Sequence, residues 1–598
     1  MRLGSDIEWR NQVASTLGAG KCLVSVHGAS GDLASNWQTS SYWRSSVRST
    51  SVCKIIGEFR LMSLVNWRIR VEQIPGAILR LVDGKAGAAL LVSSAFVSLL
   101  LAAFGGFTFF RDSTTFFEYA IQLTNFRAGS YYYSPGYPFV IAITGFPATS
   151  SVVPLLILQA TFAAFTPWLA FKTFAPYDRR AGVTSGIVCL ASLTPFFFQN
   201  TFFHDGTFLF FGFVGIAFAS TFFARGRARY LYLSLACAMF SYFTQPAGIG
   251  FVIGYVGAFS LFALYDRRQL KHAVVAIGIC LTLVASFSAF QKWSLRQDGL
   301  PVVTSAYGRK VFFSEYLQGS PYVGFAGAAA DKLRHELVDY FGSPAFHSNS
   351  AESAHILVIF RNQAADYRDL FGQYQGRESD LVDQIFAQPN RVYYEVLRYV
   401  TDMHDGVADD VFLQASLAYL YQHPLVVVRF MWKNLVDLTI GLPWSCRGQE
   451  VFPACRIPQL TPFYPAVNQL QLAPGRMPDK AYRFLTSRGD SRSLLMRAAD
   501  SAWQWIYHNF RVILLAAMLF GWLGSYWGPA TLRWTLGAFI AAYMANMLVY
   551  SFFAEPEFRY QIVSIAMSAF AAGPGIYSAL YLLTHAAIPG DPQTTPSF

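Results

Sequence analysis

The sequence predicts an all-α polytopic membrane protein, with about ten to twelve transmembrane helices and an external domain of mixed structure. Three observations favour this fold class. Hydrophobic residues make up 54% of the 598 residues and charged residues only 14%, which is more apolar surface than one soluble core of this size can hide. The apolar residues form long uncharged blocks, and basic residues gather in the short connections between the blocks.

The apolar blocks predict the membrane spans. A helix needs about 20 apolar residues to cross a hydrocarbon core of ~30 Å. The candidate spans are residues 86–106, 152–171, 182–198, 207–224, 230–243, 249–264, 273–290, 512–527, 534–553 and 562–583. Residues 137–147 are also apolar, but they are too few to cross and they end in Gly-Phe-Pro. They predict a membrane-surface or re-entrant element.

Basic residues orient the chain. Arg179-Arg180, residues 225–229, residues 265–272 and the segment before the first block are basic, and the positive-inside rule places them on the cytoplasmic side. The polar segments then fall on the external face; they are residues 107–151, 199–206, 245–246, 291–509 and 554–560. The same rule explains the net charge of +11. No nucleic-acid-binding motif accompanies this charge, so nucleic acid is not a predicted partner.

Four regions follow from this layout. Residues 1–80 are Ser-rich in part and aperiodic, and they predict a disordered or non-native extension, with Met62 as an alternative start. Residues 81–291 form an N-terminal transmembrane module with an external loop at 107–151. Residues 292–509 form an external domain with a surface or membrane-associated segment. Its apolar stretch 425–444 contains three charged residues and could be a surface helix or half of an extra hairpin. Residues 510–598 hold the C-terminal transmembrane helices.

Two polar clusters lie in the long external region. Cys446 and Cys455 flank a short polar stretch. They predict a disulfide if the loop faces an oxidising compartment, since a zinc site would need more ligands nearby. The second cluster has no EF-hand spacing, so a solvated acidic loop is its ordinary interpretation and a metal site the alternative; its members are Asp402, His404, Asp405, Asp409 and Asp410.

Three groups of residues near the external face could carry chemistry. Asp112 follows the first span and would share a helix face with Phe116 and Tyr119. It could accept a proton from an acceptor hydroxyl, or it could only cap a juxtamembrane helix. The pair His204-Asp205 lies in a turn between two spans, where a cap or a loop charge is the alternative. The last group begins the final span and could anchor it at the headgroups or hold a lipid phosphate; it comprises Glu555, Glu557, Arg559 and Tyr560.

These motifs resemble the GT-C membrane glycosyltransferases, close to the protein mannosyltransferase and aminoarabinose (lipid A) transferase group. The matching positions are Asp112, Tyr119, Ala120, Gly129, Pro135, Gly136, Tyr137, Pro138, Asp205, His423-Pro424 and Arg559-Tyr560. The chain departs from the family at three places. Many members have Glu where this chain has Ser113, Arg where it has Gln245, and prolines soon after the position of Tyr560.

The resemblance implies that a sugar passes from a polyprenyl-phosphate donor to a hydroxyl of a glycan, lipid or protein acceptor. This would occur at the external or periplasmic side of the plasma (inner) membrane. Asp112 would be the general base and Asp205 a second catalytic residue. The departing phosphate needs cationic stabilisation, and Arg559 and Tyr560 would bind it. The resemblance makes Tyr119, Tyr137, His204 and Glu557 substrate-lining residues. No cofactor is implied, and a divalent metal is left open.

Two other functions share this composition. A transporter or flippase would carry charged residues within its spans and paired broken helices. The predicted spans are nearly free of acids and bases, which favours chemistry at one membrane surface. A polysaccharide polymerase or ligase of another fold stays open.

Overall fold

The structure is a computed structural model that describes residues 76–104, 113–127, 134–297, 328–344, 376–387, 420–440, 509–553 and 558–585, with isolated positions between 414 and 418 and between 480 and 506. The chain divides into two compact units, residues 1–80 and 81–598. The first unit is described only at residues 76–80, which begin a helix. All other described residues belong to the second unit.

The elements in the described ranges are helices. In chain order the α-helices are α1 (Gly76–Phe104), α2 (Ser113–Thr124), α3 (Gly136–Ile143), α4 (Phe146–Thr149), α5 (Val153–Phe174), α6 (Arg179–Ala191), α7 (Thr194–Phe197), α8 (Asp205–Arg225), α9 (Ala228–Thr244), α10 (Ile249–Tyr265), α11 (Leu270–Gln297), α12 (Ala328–Gly342), α13 (Glu378–Ala387), α14 (Pro424–Thr439), α15 (Arg511–Gly524), α16 (Ala530–Phe553), α17 (Phe558–Ala571) and α18 (Gly573–His585).

The protein is a multi-pass membrane protein. Within the described residues, seven helices are long and apolar enough to cross a membrane, and the pair α17 and α18, bent by 50°, makes an eighth. The described part of each predicted apolar block is mostly helical. The blocks in α9 and α15 form helices too short to count as spans, which is why the described total is below the predicted ten to twelve.

Large apolar side chains face outward along the spans, as a lipid solvent requires. Leu99 of α1 and Leu281 of α11 are examples, each more than half exposed. Between helices, small residues permit close contact. A Cβ atom built on Gly250 of α10 would lie 2.4 Å from the backbone nitrogen of Asn546 in α16. Phenylalanine rings fill the interior, for example Phe213 and Phe570, whose centroids are 4.3 Å apart.

The predicted basic connections share one end of the bundle, which we call the basic end. The Gln269 amide donates a hydrogen bond to Gly226 O at 3.2 Å and so joins two of these connections. The Tyr177 hydroxyl lies 2.9 Å from Ser220 O near the end of α8 and 2.7 Å from Thr535 Oγ1 near the start of α16.

The opposite end, which we call the polar end, holds the connection 198–204 before α8, the turn at Gln245 and the short helices α2 to α4. Helices α3 and α4 have 8 and 4 residues, so neither is long enough to span the membrane, and their position as a surface or re-entrant element stays a prediction. Gly145 joins them with φ of 77°, a conformation that glycine adopts without steric cost.

The described parts of region 292–509 are helical, so they show no mixed structure. Arg334 of α12 pairs with Asp383 of α13 at 2.6 Å. Helix α14 packs against α16 and α17 and is not among the candidate spans, which favours a membrane-associated helix over half a hairpin. Cys446, Cys455 and the acidic cluster at 402–410 lie outside the described residues.

Candidate functional site

A cluster of buried aromatic rings lies at the polar end. The Phe116 ring of α2 packs edge-on against Tyr137 of α3, with centroids 5.3 Å apart, and against Phe203, at 5.4 Å. Phe202 and Phe146 belong to the same buried cluster. The cluster therefore brings α2, α3, α4 and the connection before α8 together, although they are distant in sequence.

Asp205, a predicted site residue, is completely buried at the first residue of α8. In the described part of the chain neither of its carboxylate oxygens accepts a hydrogen bond. Its one ion-pair contact there is His204, whose Nδ1 lies 3.5 Å from Oδ2. The helix dipole of α8 favours a negative charge at this end. A buried carboxylate without donors is nevertheless costly, so the position suits a ligand that brings donors.

Tyr137, also predicted, is completely buried beside this carboxylate. Gln159 of α5 donates its amide to Thr201 O at 2.8 Å and contacts the Tyr137 hydroxyl at 3.4 Å. Burial raises the pKa of Tyr137, the charge of Asp205 raises it further, and the Gln159 hydrogen bond opposes both. The hydroxyl is therefore a neutral donor at physiological pH.

The start of α2 also lies at the polar end, next to the connection before α8. Ser113 Oγ donates to Phe202 O at 2.8 Å, three residues before Asp205. Phe116 and Tyr119 are both buried. Asp112, which is predicted to share their helix face, lies outside the described residues, so that shared face stays a prediction. Burial raises the pKa of Tyr119, and its hydroxyl makes no hydrogen bond within the described residues.

The turn at Gln245 also lies at the polar end, next to the start of α3. A Cβ atom on Gly136 would lie 2.6 Å from Phe243 O, so the start of α3 touches the end of α9 and only glycine fits there. Gln245 is buried, and its side-chain oxygen accepts no hydrogen bond in the described part of the molecule. Among the described residues, the side-chain oxygens of Asp205, Gln159 and Gln245 are therefore buried acceptors without a hydrogen-bond donor.

The predicted residues divide into three sets. Tyr137, His204 and Asp205 meet at the polar end, and Tyr119 is buried on the helix that reaches it. Asp112, Glu557 and the side chain of Arg559 lie outside what the structure describes. Tyr560 stacks on Tyr550 at 4.3 Å where α16 and α17 meet, so its ring serves packing and a contact with phosphate remains a proposal.

Sequence reasoning missed Gln159. It is the one amide side chain of the predicted span 152–171, and a polar side chain within a span is expensive unless it has a partner. That signal could have identified it. Metal ligation finds no support here, since the described residues contain no group of three or more His, Cys, Asp or Glu side chains that could hold an ion.

Comparison with known proteins gives one structural likeness. No protein-family model matches the chain, and no curated protein matches it. Among solved structures it is similar to ArnT from Cupriavidus metallidurans bound to undecaprenyl phosphate, with 13% identity, 85% of this chain and 82% of that chain covered, and a TM-score of 0.29. Values at this level leave the function to be argued from the residues of this chain.

Proposed function

We propose that this protein is a membrane glycosyltransferase that moves a sugar from a polyprenyl-phosphate donor to an acceptor hydroxyl at the polar end. One observation carries the proposal. Asp205 is a completely buried carboxylate with no hydrogen-bond donor among the described residues. Its neighbour His204 packs against the rings of Phe116 and Phe203, and the side-chain oxygen of Gln159, whose amide contacts Tyr137, also accepts no hydrogen bond among the described residues. We place the sugar pocket here, because a sugar would supply hydroxyl donors for these oxygens and an apolar ring face for the aromatic rings.

We propose Asp112 as the general base. It precedes Ser113 in the sequence, and Ser113 is tied to Phe202 beside the pocket. In the proposed step the acceptor oxygen attacks the anomeric carbon, and its proton passes to the Asp112 carboxylate. The bond from that carbon to the phosphate oxygen breaks, and the polyprenyl phosphate leaves with the electron pair. Direct displacement of this kind inverts the anomeric carbon.

His204, Asp205 and Tyr137 would orient the reacting sugar. Each hydrogen bond to a charged group contributes about 1.5–3 kcal/mol, so Asp205 would be the strongest of these contacts. The Tyr137 hydroxyl would act as a neutral donor. Tyr119 and Glu557 are proposed to line the same site.

The leaving phosphate needs a cation. The described residues offer Asp205 no cationic partner apart from His204, so we propose that Arg559 supplies the cation together with Tyr560. The guanidinium fork matches phosphate oxygens. For the lipid chain we propose a groove of about 530 Å³ between α1 and α5, whose walls include Leu91, Leu99 and Ile157.

A transporter is the second candidate because α17 and α18 form one bent pair. The bend is tightly packed, since a Cβ on Gly573 would lie 2.2 Å from Ser185 N. Transporters of the inverted-repeat type use paired broken helices near charged residues. However, the described spans contain one bent pair and not two, and Asp205 lies at the end of a span and not within it. Both features favour chemistry at one membrane surface over transport.

The test uses the full chain in sealed proteoliposomes with a panel of radiolabelled polyprenyl-phosphate sugars. We expect one donor to be consumed, with polyprenyl phosphate released, and Asp205→Asn to lower that turnover at least tenfold. Asp266→Asn, at the basic end, is the matched control and should leave turnover unchanged. If no donor is consumed and labelled sugar or lipid crosses the bilayer instead, the transporter takes the place of this proposal.

A further inference from the structure

Helix α14 carries an apolar face that no described residue covers. The face continues across the break at His423-Pro424. Its members recur at intervals of three or four residues and are between 49% and 89% exposed; they are Leu417, Tyr421, Leu425, Val428 and Trp432. Exposed apolar faces of this length mark a contact with another molecule or with lipid.

Hydrogen bonds from the opposite face and the C-terminal end of α14 fix its position against the ends of three other helices. The Asn434 amide donates to Ser551 O at 2.9 Å, and Ser551 is near the end of α16. The Gln561 amide, near the start of α17, donates to Asp437 O at 2.6 Å. The Arg511 guanidinium, at the first residue of α15, donates to Ile440 O at 2.5 Å.

All three partners lie at the polar end of the bundle. Helix α16 begins at the basic end, where Thr535 contacts Tyr177, so its last residues are at the opposite end. Helix α15 ends just before α16 begins, so its last residues lie at the basic end and its first residue, Arg511, lies at the polar end. Helix α17 follows the last residues of α16, so its start lies at the polar end. The C-terminal half of α14 is therefore held at the membrane boundary. With 16 residues the helix is about 24 Å long, shorter than the hydrocarbon core.

The chemistry of the exposed face fits this depth. Tyr421 and Trp432 have side chains that are enriched at membrane–water interfaces. Arg429 is exposed beside the apolar row, where a guanidinium can bind a phosphate. The lipid-facing side of α16 adjoins the same place, since Leu548, three residues before Ser551, is 40% exposed.

We propose that α14 is an interfacial helix. Its exposed apolar face lies at the headgroup and acyl-chain boundary of the leaflet at the polar end, and Arg429 binds a phospholipid phosphate there. The partner is the lipid surface itself. This inference is independent of the sugar-transfer activity and stands if that activity proves to be another one.

The first test measures depth with a nitroxide label in nanodiscs of phosphatidylglycerol and phosphatidylcholine. The full chain, with its seven cysteines replaced, carries one label through Val428→Cys, Leu281→Cys or Ser379→Cys. Leu281 is exposed on a span and Ser379 is exposed on α13. Oxygen and nickel relaxation should place the label at 428 about 5–10 Å into the membrane, between a deeper label at 281 and an aqueous label at 379.

Two outcomes overturn the proposal. A label at 428 with the same nickel accessibility as the label at 379 means that the face is in water. A label at 428 that is immobilised and protected from both relaxants means that a protein, or a second copy of this chain, covers the face. If the cysteine-free chain does not fold, a benzophenone amino acid at 428 in the natural chain replaces the label. It should crosslink to lipid, whereas crosslinking to protein alone refutes the idea.

The second test concerns Arg429. Native mass spectrometry of the full chain, titrated with phosphatidylglycerol, should show about fivefold weaker retention of the lipid by Arg429→Gln, the effect of roughly one basic residue near a membrane surface. Lys332→Gln, which removes an exposed cation on α12, is the control and should not change retention. Equal retention by both variants removes Arg429 from the proposal.

Discussion

Aspartates at the two ends of the helical bundle differ in burial and in hydrogen bonding. At the basic end, Asp178 caps α6, and its Oδ1 accepts hydrogen bonds from Arg180 N at 2.6 Å and Ala181 N at 3.2 Å. Asp266 accepts one from Arg268 N at 3.2 Å. At the polar end, Asp205 also begins a helix, but it is completely buried and its oxygens accept no hydrogen bond in the described part of the protein.

The comparison separates structural carboxylates from a functional candidate. A cap satisfies backbone N–H groups and contributes about 0.5–2 kcal/mol to stability. An unpaired buried carboxylate lowers stability, so its presence calls for another explanation such as a ligand. The difference therefore teaches that position near a helix start does not define the role of an aspartate, whereas burial and hydrogen-bond satisfaction do.

The largest expected effect is at Asp112. We predict that Asp112→Asn lowers the rate of sugar transfer about 10²–10⁴-fold while the protein stays folded and binds the lipid donor, because Asn keeps the capping ability but cannot accept the proton. Single-turnover transfer and donor binding would be measured in parallel. Near-normal turnover would assign Asp112 to capping, like Asp178, and move the base to Asp205 or Glu557.

The next effect concerns the proposed phosphate contact. Arg559→Gln should weaken donor binding about 10–100-fold as well as slow transfer, since hydrogen bonds to charged groups contribute about 1.5–3 kcal/mol. Arg268→Gln, at the basic end, should leave donor affinity unchanged. Binding of the intact lipid donor by microscale thermophoresis distinguishes the two, and equal affinities would place the phosphate elsewhere.

The third prediction tests the comparison through stability. Without ligand, Asp205→Asn should raise the free energy of unfolding by about 1 kcal/mol, since a neutral amide costs less to bury than an unpaired carboxylate. Asp178→Ala should lower it by about 1 kcal/mol because it removes a cap. Thermal unfolding in detergent would measure the sign of the change in stability for each variant. A loss of stability in both variants would mean that Asp205 is structural.

The smallest effect is expected at Gln159. Gln159→Leu removes the amide that contacts Thr201 and Tyr137, and we predict about tenfold lower kcat/KM with a small loss of stability. Thr184→Val, on α6 near the basic end, is the control, because the Thr184 hydroxyl donates to Arg180 O within its own helix. Equal kinetics for both variants would exclude Gln159 from positioning the site.

Much of the fold could be predicted because lipid imposes a simple rule on sequence. Every backbone polar group must be satisfied within a span, so long uncharged blocks become helices. The block at 562–583 became a helix with a 50° bend, and the block at 182–198 includes a break at Leu193, where φ is 56°. Gly573-Pro574-Gly575 and Pro195 are local helix-breaking signals, but contacts such as those of Gly573 decide how the chain bends there.

The site was less predictable. Polar residues next to spans are few, which identifies His204-Asp205 as candidates, whereas Tyr137 is implied by the family resemblance. That Asp205 and Tyr137 are neighbours, and that Gln159 contacts Tyr137, depends on segments far apart in the chain. Likewise, the exposed row on α14 has an apolar pattern in sequence, but the hydrogen bonds to Ser551 and Gln561 decide which face of the helix is turned outward.

The sequence by itself determined that this chain is helical, that it crosses a membrane several times, and that its basic connections share one end. These properties follow from hydropathy and charge along short segments. The tertiary structure alone decided that Asp205 is buried without hydrogen-bond donors while Asp178 and Asp266 act as caps. The physical reason is that burial and hydrogen-bond satisfaction depend on which helices surround a side chain, whereas helix formation in lipid depends on the segment itself.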